Sequence, residues 1–587
     1  MILQALYEYY QRKAADPESN IAPEGLIEKK IDFFIVIKSD GSYVTIDPQQ
    51  EWTKKGKTKK LSGKAFFVPA IGKQAMKHTM AGDDANLLWD NASFILGLGK
   101  NGQKKQQSFI DTILRAYTNI PLDVASVIKF FEKELSLKKP FYEILNHSEY
   151  GEKIKFGDAN ITFKIDGDLF PIIEAEHVKK AVFEYRTSKD IIGNCLISGE
   201  IGVSLEPTHW VTKGIVGAQT SGANLVSFNS DAYCSYGKEQ SMNAPVSKRA
   251  AMGYTKALQY LIESDKNKVR LVDTTTVFWA QKKQKQEDFE NAFSILFGLP
   301  SKDDPDSDVK TVKNLYDGVY SGRYAGDSTT LFYVLGLAPN AARIAIRFWH
   351  VGTIAEFAGN ILQHFKDFEI TPKEKGHYAL FWLLSAMAFE KKVDNVPPNL
   401  SGQIVRAVLT GTVYPTTMLQ QTIRRVRATR DVTRVQAGIL KAYLNRYRRI
   451  YKIKDKEKIE MSLDYNNTNP GYRLGRLFAV LEKIQEEANQ KATIRERFYG
   501  AASSSPITVF PQLLKLKNYH LAKLKGAGRK ITFERMLTEI FYGITPEMPS
   551  HLAMEDQARF AIGYYHQRQE LFTKSSSSKN ESENQGE

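Results

Sequence analysis

The sequence predicts an α+β protein: a mixed α/β N-terminal region with β-hairpins, followed by an all-α C-terminal helical bundle. Three observations lead there. Two β-rich runs flank Asp40-Gly41 in DFFIVIKSDGSYVTI (32–46), and two more flank APN in LFYVLGLAPNAARIAIRFW (331–349). Turn residues between apolar runs of this kind signal hairpins. Beyond about residue 378 the apolar residues recur at helical spacing instead. A chain of 587 residues that is 42% hydrophobic and 11% aromatic can bury cores in more than one domain.

After the first hairpin, residues 51–80 carry eight lysines, three glycines and one acid, Glu51. This reads as a mobile basic loop. NLLWDNASFILGL (86–98) places Leu87, Leu88, Phe94, Ile95 and Leu98 at helical spacing, and 106–146 reads as further helix. KIKFGDANITFKIDGDLF (153–170) reads as strands with turns at Gly157-Asp158 and Asp166-Gly167. VSKRAAMGYTKALQYLIES (246–264) is an amphipathic helix, VRLVDTTTVFWA (269–280) a β-run and PSKDDPDSD (300–308) an acidic loop. In the second hairpin Ile344, Ile346 and Phe348 alternate with Arg343, Ala345 and Arg347, so one face should be buried and the other should carry two arginines. A helix follows from Thr353 to Phe368.

The longest apolar run, YALFWLLSAMAF (378–389), is too short to span a bilayer and reads as a buried helix. In NNTNPGYRLGRLFAVLEKIQEEA, Asn469 suits an N-cap and Pro470 the first helical position. Leu474, Leu477, Phe478, Leu481 and Ile484 then make one apolar stripe. Helices continue to about Lys574. The organisation expected is a mixed region at 1–395, a basic helical connector at 396–460, a helical bundle at 461–574 and a disordered polar tail at 575–587.

The formal net charge is +15, which points to nucleic acid first and an acidic membrane surface second. Two cysteines, Cys195 and Cys234, are too few for a disulfide framework or a cysteine-based zinc site. The start has no basic segment leading into an apolar core, so a soluble, cytoplasmic protein is expected. GLGKNG (97–102) matches the letters of a dinucleotide fingerprint, but the segment before it reads as helix rather than strand. It is read as a helix end and a lysine-bearing turn. GKTKKLSGK (56–64) has the wrong glycine spacing for a phosphate loop. Asp304, Asp306 and Asp308 lack the glycine and terminal glutamate of a calcium loop. The histidines show no metal spacing, and no catalytic residue, metal or cofactor is expected.

The basic features carry more. Between 401 and 460 there are 14 Lys/Arg against four Asp/Glu. Candidate phosphate-backbone contacts are Lys54, Lys55, Lys57, Lys59, Lys60 and Lys64 in the basic loop, and Arg343 and Arg347 in the second hairpin. The 424–449 cluster adds Arg424, Arg425, Arg427, Arg430, Arg434, Arg446, Arg448 and Arg449. Arginine donates bidentately to phosphate, and the spacing 424/427/430/434 suggests one helix face. GAQTSGANLVSFNSDAYCSYGKEQSMNAP (217–245) is different: it is rich in amides and nearly uncharged. Amides can read base edges, and they can equally brace a loop. Composition leaves those two readings equal.

Several long blocks run in order through the chain: MILQALYEYY, ANLLWDNASFILGL, GAQTSGANLVSFNSDAYCSYGKEQSMNAPVS, TTTVFWA, FYVLGLAPNAARIAIRFW, LTGTVYP, NTNPGYRLGRLFAVLEKIQEEA, FYGAASSSP and EDQARFAIGYYHQRQELFTK. Together they resemble the large subunit of the type I-C CRISPR surveillance complex, Cascade, from Met1 to about Lys574. SLEPTHWVTKGIV (204–216) is less basic than the family pattern, and 51–80 is richer in lysine. The resemblance implies a non-catalytic subunit that recognises the protospacer-adjacent motif (PAM) in duplex DNA. It also implies help in opening that duplex, stabilisation of the displaced strand in the R-loop, and a platform for a helicase–nuclease. Expected partners are the guide RNA, the handle-binding and backbone subunits, and a small subunit like the C-terminal bundle, translated from an internal start near Met461. Gln219, Ser221 and Asn224, with Lys73 and Gln74, are the expected PAM-proximal residues. The competing class is a nuclease or guide-RNA-processing enzyme, which would need a metal–carboxylate cluster or a general base.

Overall fold

The computed structural model describes the chain except for residues 17, 56–57, 72–84, 186–189, 272–273, 283–286, 299–316, 318–320, 323–328, 372–377, 398, 455–456, 490–492, 543, 545–547 and 584–587. The acidic loop at 300–308 lies outside the described residues, as do Lys57, Lys73 and Gln74. The fold is α+β as expected, with strands ending at Thr353 and helices thereafter. Two compact units emerge: Met1–Lys213 with Gln219–Tyr260, and Gly214–Ala218 with Leu261–Glu587. The compact division thus falls inside the mixed region, whereas the change in secondary structure comes later.

In the first unit, strand β1 (Leu26–Ile31) precedes the fully buried β2 (Phe33–Ile37). β2 pairs antiparallel with β3 (Tyr43–Pro48) through the Asp40-Gly41 turn. The turn needs its glycine: a Cβ at Gly41, whose φ is +85°, would lie 2.6 Å from the Phe130 backbone nitrogen. β4 (Gln50–Lys55) and β5 (Thr58–Pro69) form an antiparallel hairpin, and β5 also pairs with β1. The first part of the expected mobile basic loop is therefore sheet, because its lysines are interspersed with Trp52, Leu61, Phe66, Phe67 and Val68 at strand spacing.

The 86–98 segment also departs from expectation. It forms a short strand, β6 (Trp89–Asn91), and one helical turn, Ala92–Ile95. The buried Asp90 carboxylate accepts from the Asn86 backbone and side chain and from the Asn91 N–H, which holds the chain extended there. GLGKNG follows that turn, and Gly97 and Gly99 have positive φ before the Gly102–Ala116 helix. β7 (Asn160–Ile165) runs parallel to β2 and antiparallel to β6. A parallel pair needs a crossover, and the Gly102–Ala116 and Leu122–Ser136 helices lie within it. Phe109, Phe130, Phe131 and Phe163 pack there with centroids 5.3–6.3 Å apart.

The second unit opens with antiparallel strands Lys268–Leu271, Thr274–Ala280, Leu331–Asn340 and Arg343–Thr353 in chain order. A bulge interrupts the last pair: Gly336 faces Phe348 and Leu337 faces Ile346, leaving Arg347 extra. The bulge flips the alternation. Ile346 is consequently exposed, while Phe348 joins the core, so the expected single apolar face does not form. Phe348 packs over Gly336, where a Cβ would sit 2.5 Å from its ring. The next helix, Ile354–Phe368, begins with a capping box between Thr353 and Glu356.

One core joins this sheet to every later helix and includes Phe332, Ile361, Leu440, Leu477 and Phe560. Residues 396–460 and 461–574 share it. The Pro470–Asn489 and Met554–Glu583 helices approach backbone to backbone. A Cβ at Gly475 would lie 2.0 Å from the Phe560 carbonyl oxygen, and one at Gly563 2.1 Å from that of Tyr472. The second helix extends through 575–583, where polarity suggested disorder; extending a formed helix is far easier than starting one.

A buried ion pair fixes the Ile354–Phe368 and Arg434–Ile450 helices. Asp367 accepts from Arg446 Nε at 2.7 Å and from Arg449 at 2.8 and 2.9 Å. Arg446 has no exposed surface, donates to the Ala407 and Thr412 carbonyls, and stacks 4.1 Å from the Tyr414 ring centroid. Burial works against ionisation of Asp367, but hydrogen bonds from Arg449 and Arg446 and their charges outweigh it, holding its carboxyl below the ordinary value. A depressed folded pKa gives stability present above the unfolded pKa and lost as pH falls through the folded one. Removing one partner of such a pair costs about 3–5 kcal/mol. Asp367→Ala should therefore lower the denaturation midpoint strongly at pH 7, and its deficit against the parent should shrink as titration proceeds below about pH 4.

Candidate nucleic-acid interface

The amide-rich segment of the first unit is built on a buried polar base. Cys195 Sγ accepts from the Ser247 N–H at 3.2 Å and the Ser198 N–H at 3.4 Å. Lys248 Nζ donates to both Asp190 carboxylate oxygens, at 2.7 and 2.8 Å. Glu206 is nearly inaccessible, and burial pushes its carboxyl up to about 7 against the pull of Lys248. His209 is buried beside the Tyr254 hydroxyl, and burial pushes its imidazole down to about 4. Both cysteines are free thiols.

Next to this base lies a two-rung antiparallel hairpin, Val211–Thr212 with Ala223–Asn224. Asn224 is half-buried and donates from Nδ2 to the His209 carbonyl at 2.7 Å. Its amide braces the hairpin, which sets it apart from the base readers expected beside it. Gln219 and Ser221 are exposed in the connecting loop, where the Gly222 N–H donates to the Gln219 carbonyl at 3.0 Å. Gly222 is required by its φ of +110° and by Val211, 2.8 Å from where a Cβ would stand. Further along, Ser235–Lys238 forms a tight turn.

The lysines of the basic segment divide. Lys54, Lys55, Lys59 and Lys60 have backbone positions at the end of the β4–β5 hairpin, where Lys54 pairs with Lys59 and Thr53 with Lys60; their side chains lie outside the described residues. Lys64 is exposed, its ammonium 5.6 Å from the Phe66 ring centroid.

The arginine cluster of the second unit does not form one stripe. The Thr416–Thr429 helix stops at Arg430, which has a φ of +56°, and a new helix starts at Arg434 behind the N-cap Thr433. Arg446 and Arg449 are committed to Asp367; the buried Arg446 is withdrawn from any phosphate. Arg425 stacks on Phe389 at 5.5 Å and Arg434 on Tyr378 at 5.8 Å. Arg343 and Arg448 are partly buried, and Arg347 is exposed on the bulge. Arg424 and Arg430 are exposed, with no side-chain partner among the described residues. Arg427 is exposed and reaches Ser504 Oγ at 3.5 Å.

Two further arginines gather nearby. Asp431 is approached by Arg495 at 3.3 Å and by Arg568 at 3.6 Å. Arg495 also meets Glu482 at 3.4 Å, and Arg568 donates to the Tyr564 hydroxyl at 3.0 Å. Sequence reasoning missed them because they lie on helices 60 or more residues downstream, outside the arginine cluster. Arg495 and Arg568 are thus held by acids, whereas Arg424, Arg427 and Arg430 leave an exposed basic surface.

Such a surface can hold phosphates through Arg424, Arg427 and Arg430, with the buried pairs as scaffold. Replacing Arg424 and Arg430 together with Gln should leave thermal stability unchanged. It should reduce the slope of log affinity for duplex DNA against log salt by about 0.9 for each phosphate no longer neutralised. Titrations of the full chain at several salt concentrations measure this; an unchanged slope would place the phosphates elsewhere.

Among the described residues no helix is long and apolar enough to cross a membrane. A comparison with curated proteins finds no match. The family model described as CRISPR-associated protein (Cas_Csd1) matches residues 6–572. With nearly the whole chain inside that match, the protein belongs to the Csd1 family of CRISPR-associated proteins, the type I-C large subunits.

Proposed function

We propose that this Cascade-type subunit is a non-catalytic reader of the PAM in duplex DNA. It assists R-loop formation, stabilises the displaced strand and presents a platform to the helicase–nuclease, in the cytoplasm. The observation that carries the reading is the exposed placement of Gln219 and Ser221 on a braced hairpin loop. Amide and hydroxyl groups on such a loop can reach base edges, where a bidentate contact discriminates by about 1–3 kcal/mol. Guide pairing supplies the long sequence, so the protein need read only a short motif and duplex shape. Strand exchange is nearly balanced in energy, so modest interactions from Arg424, Arg427 and Arg430 suffice to bias it.

Gln219 is the reader in this scheme and Asn224 its support. In the assembled complex, Gln219→Ala should relax discrimination between targets differing only in the PAM by about 1–3 kcal/mol. Asn224→Ala should instead weaken all targets alike. Competition binding on matched and altered motifs separates the two, and unchanged discrimination in Gln219→Ala moves the reader to other residues.

The reading extends to partners: the guide RNA, the handle-binding and backbone subunits, and a small subunit resembling residues 461–574. Met461 is exposed in the connection before the Pro470–Asn489 helix, a suitable place for an internal start. Mass spectrometry of a complex purified from the intact gene should then detect a 461–587 fragment, and a complex without it refutes the internal start.

A further inference from the structure

The most exposed large hydrophobic side chain of the amide-rich segment is an aromatic ring. Tyr236 is 98% exposed and sits in the tight turn Ser235-Tyr236-Gly237-Lys238. Both central residues have positive φ, +51° for Tyr236 and +68° for Gly237. A residue with a Cβ seldom adopts that conformation, and a tyrosine less readily than the usual asparagine. Such strain persists only where the surrounding structure imposes it.

Here one residue imposes it. Asn243 accepts from the Ser235 N–H at 3.2 Å and from the Ser235 hydroxyl at 2.9 Å. Its Nδ2 donates to the Lys238 carbonyl at 2.8 Å and to that of Gln240 at 3.1 Å. The Lys238 N–H closes the turn on the Ser235 carbonyl at 2.9 Å. An amide thus spans both limbs and holds the ring away from the protein, where it packs on no other ring among the described residues.

The surroundings indicate what that ring meets. Ser235, Gly237, Lys238, Glu239 and Gln240 are all exposed and polar or small. A protein-docking tyrosine would be expected within an apolar patch. Tyr233, three residues earlier, is also exposed, but among the described residues no apolar patch surrounds the turn itself. A flat ring on a pre-formed turn with an ammonium two residues away suits a nucleobase face with its phosphate close by. We propose that Tyr236 stacks on an unpaired nucleobase of the target DNA, with Asn243 as its positioning residue. The inference rests on the DNA-binding reading above and names a contact to the opened strand, separate from motif discrimination by Gln219.

Binding of the full chain to an oligothymidine and to an abasic strand of equal length tests it. Tyr236→Ala should weaken the oligothymidine by roughly 5- to 160-fold, the worth of one base–aromatic stack, and leave the abasic strand unchanged. Tyr236→Phe and Tyr236→Trp should bind as the parent does, and Asn243→Ala should show a smaller, base-dependent loss. Equal loss on both strands, no loss on either, or failure of the Phe variant would overturn the stacking role while leaving DNA binding intact. Unchanged oligonucleotide binding with impaired assembly into the complex would make the turn a protein contact and also overturn it. A parent chain that binds neither strand removes the DNA-binding reading together with this inference.

Discussion

Much of the second unit turns on one carboxylate. Asp367 sits almost fully buried at the end of the Ile354–Phe368 helix and takes both Arg446 and Arg449 from the Arg434–Ile450 helix. Arg446 in turn satisfies the carbonyls of Ala407 and Thr412 and stacks on Tyr414. Four segments are thereby registered by one ion pair and its hydrogen bonds. Its net contribution to stability is smaller than its Coulomb energy, because both ions lose their hydration. Its strength lies in specificity: any other packing leaves an uncompensated charge in an apolar core.

That pair also decides what remains for function. A dense arginine cluster suggested a uniform phosphate-binding stripe, but part of it is scaffold. Arg446 and Arg449 serve Asp367, whereas Arg425 and Arg434 lie over aromatic rings. Arg424, Arg427 and Arg430 are left at the surface, and the αL residue Arg430 ends the helix that carries them. Asp431, next in sequence, draws Arg495 and Arg568 to the same neighbourhood. The division of labour among like residues follows burial, which charge counting does not see.

The amide-rich segment shows the same division on a smaller scale. Asn224 and Asn243 face inward on backbone groups and shape the chain, while Gln219, Ser221 and Tyr236 are held outward. A bracing amide and a presented side chain form one device. The base beneath it, with Cys195, Glu206 and His209, is buried and polar. Its Cys195 thiol takes the Ser198 and Ser247 N–H groups, and the His209 carbonyl takes the Asn224 amide that braces the glycine-bearing hairpin.

The sequence by itself determined the α+β class, both hairpins, most helices and, through long ordered blocks, the family. These features are local: turn residues, apolar period and capping residues act within a few positions, and Thr353 and Asn469 mark helix starts legibly. Tertiary structure alone decided the rest. It made strand of the lysine segment before Pro69, because that segment pairs with β1 and Phe66 packs edge-on against Phe34 of β2. It placed Phe348 and Ile346 on opposite faces through a bulge beside Gly336, over which the Phe348 ring packs. It sorted the arginines between Asp367 and solvent, and it exposed Tyr236 on a turn closed by Asn243. Each outcome depends on a partner distant in sequence or on a backbone dihedral, and neither is encoded in residue type alone.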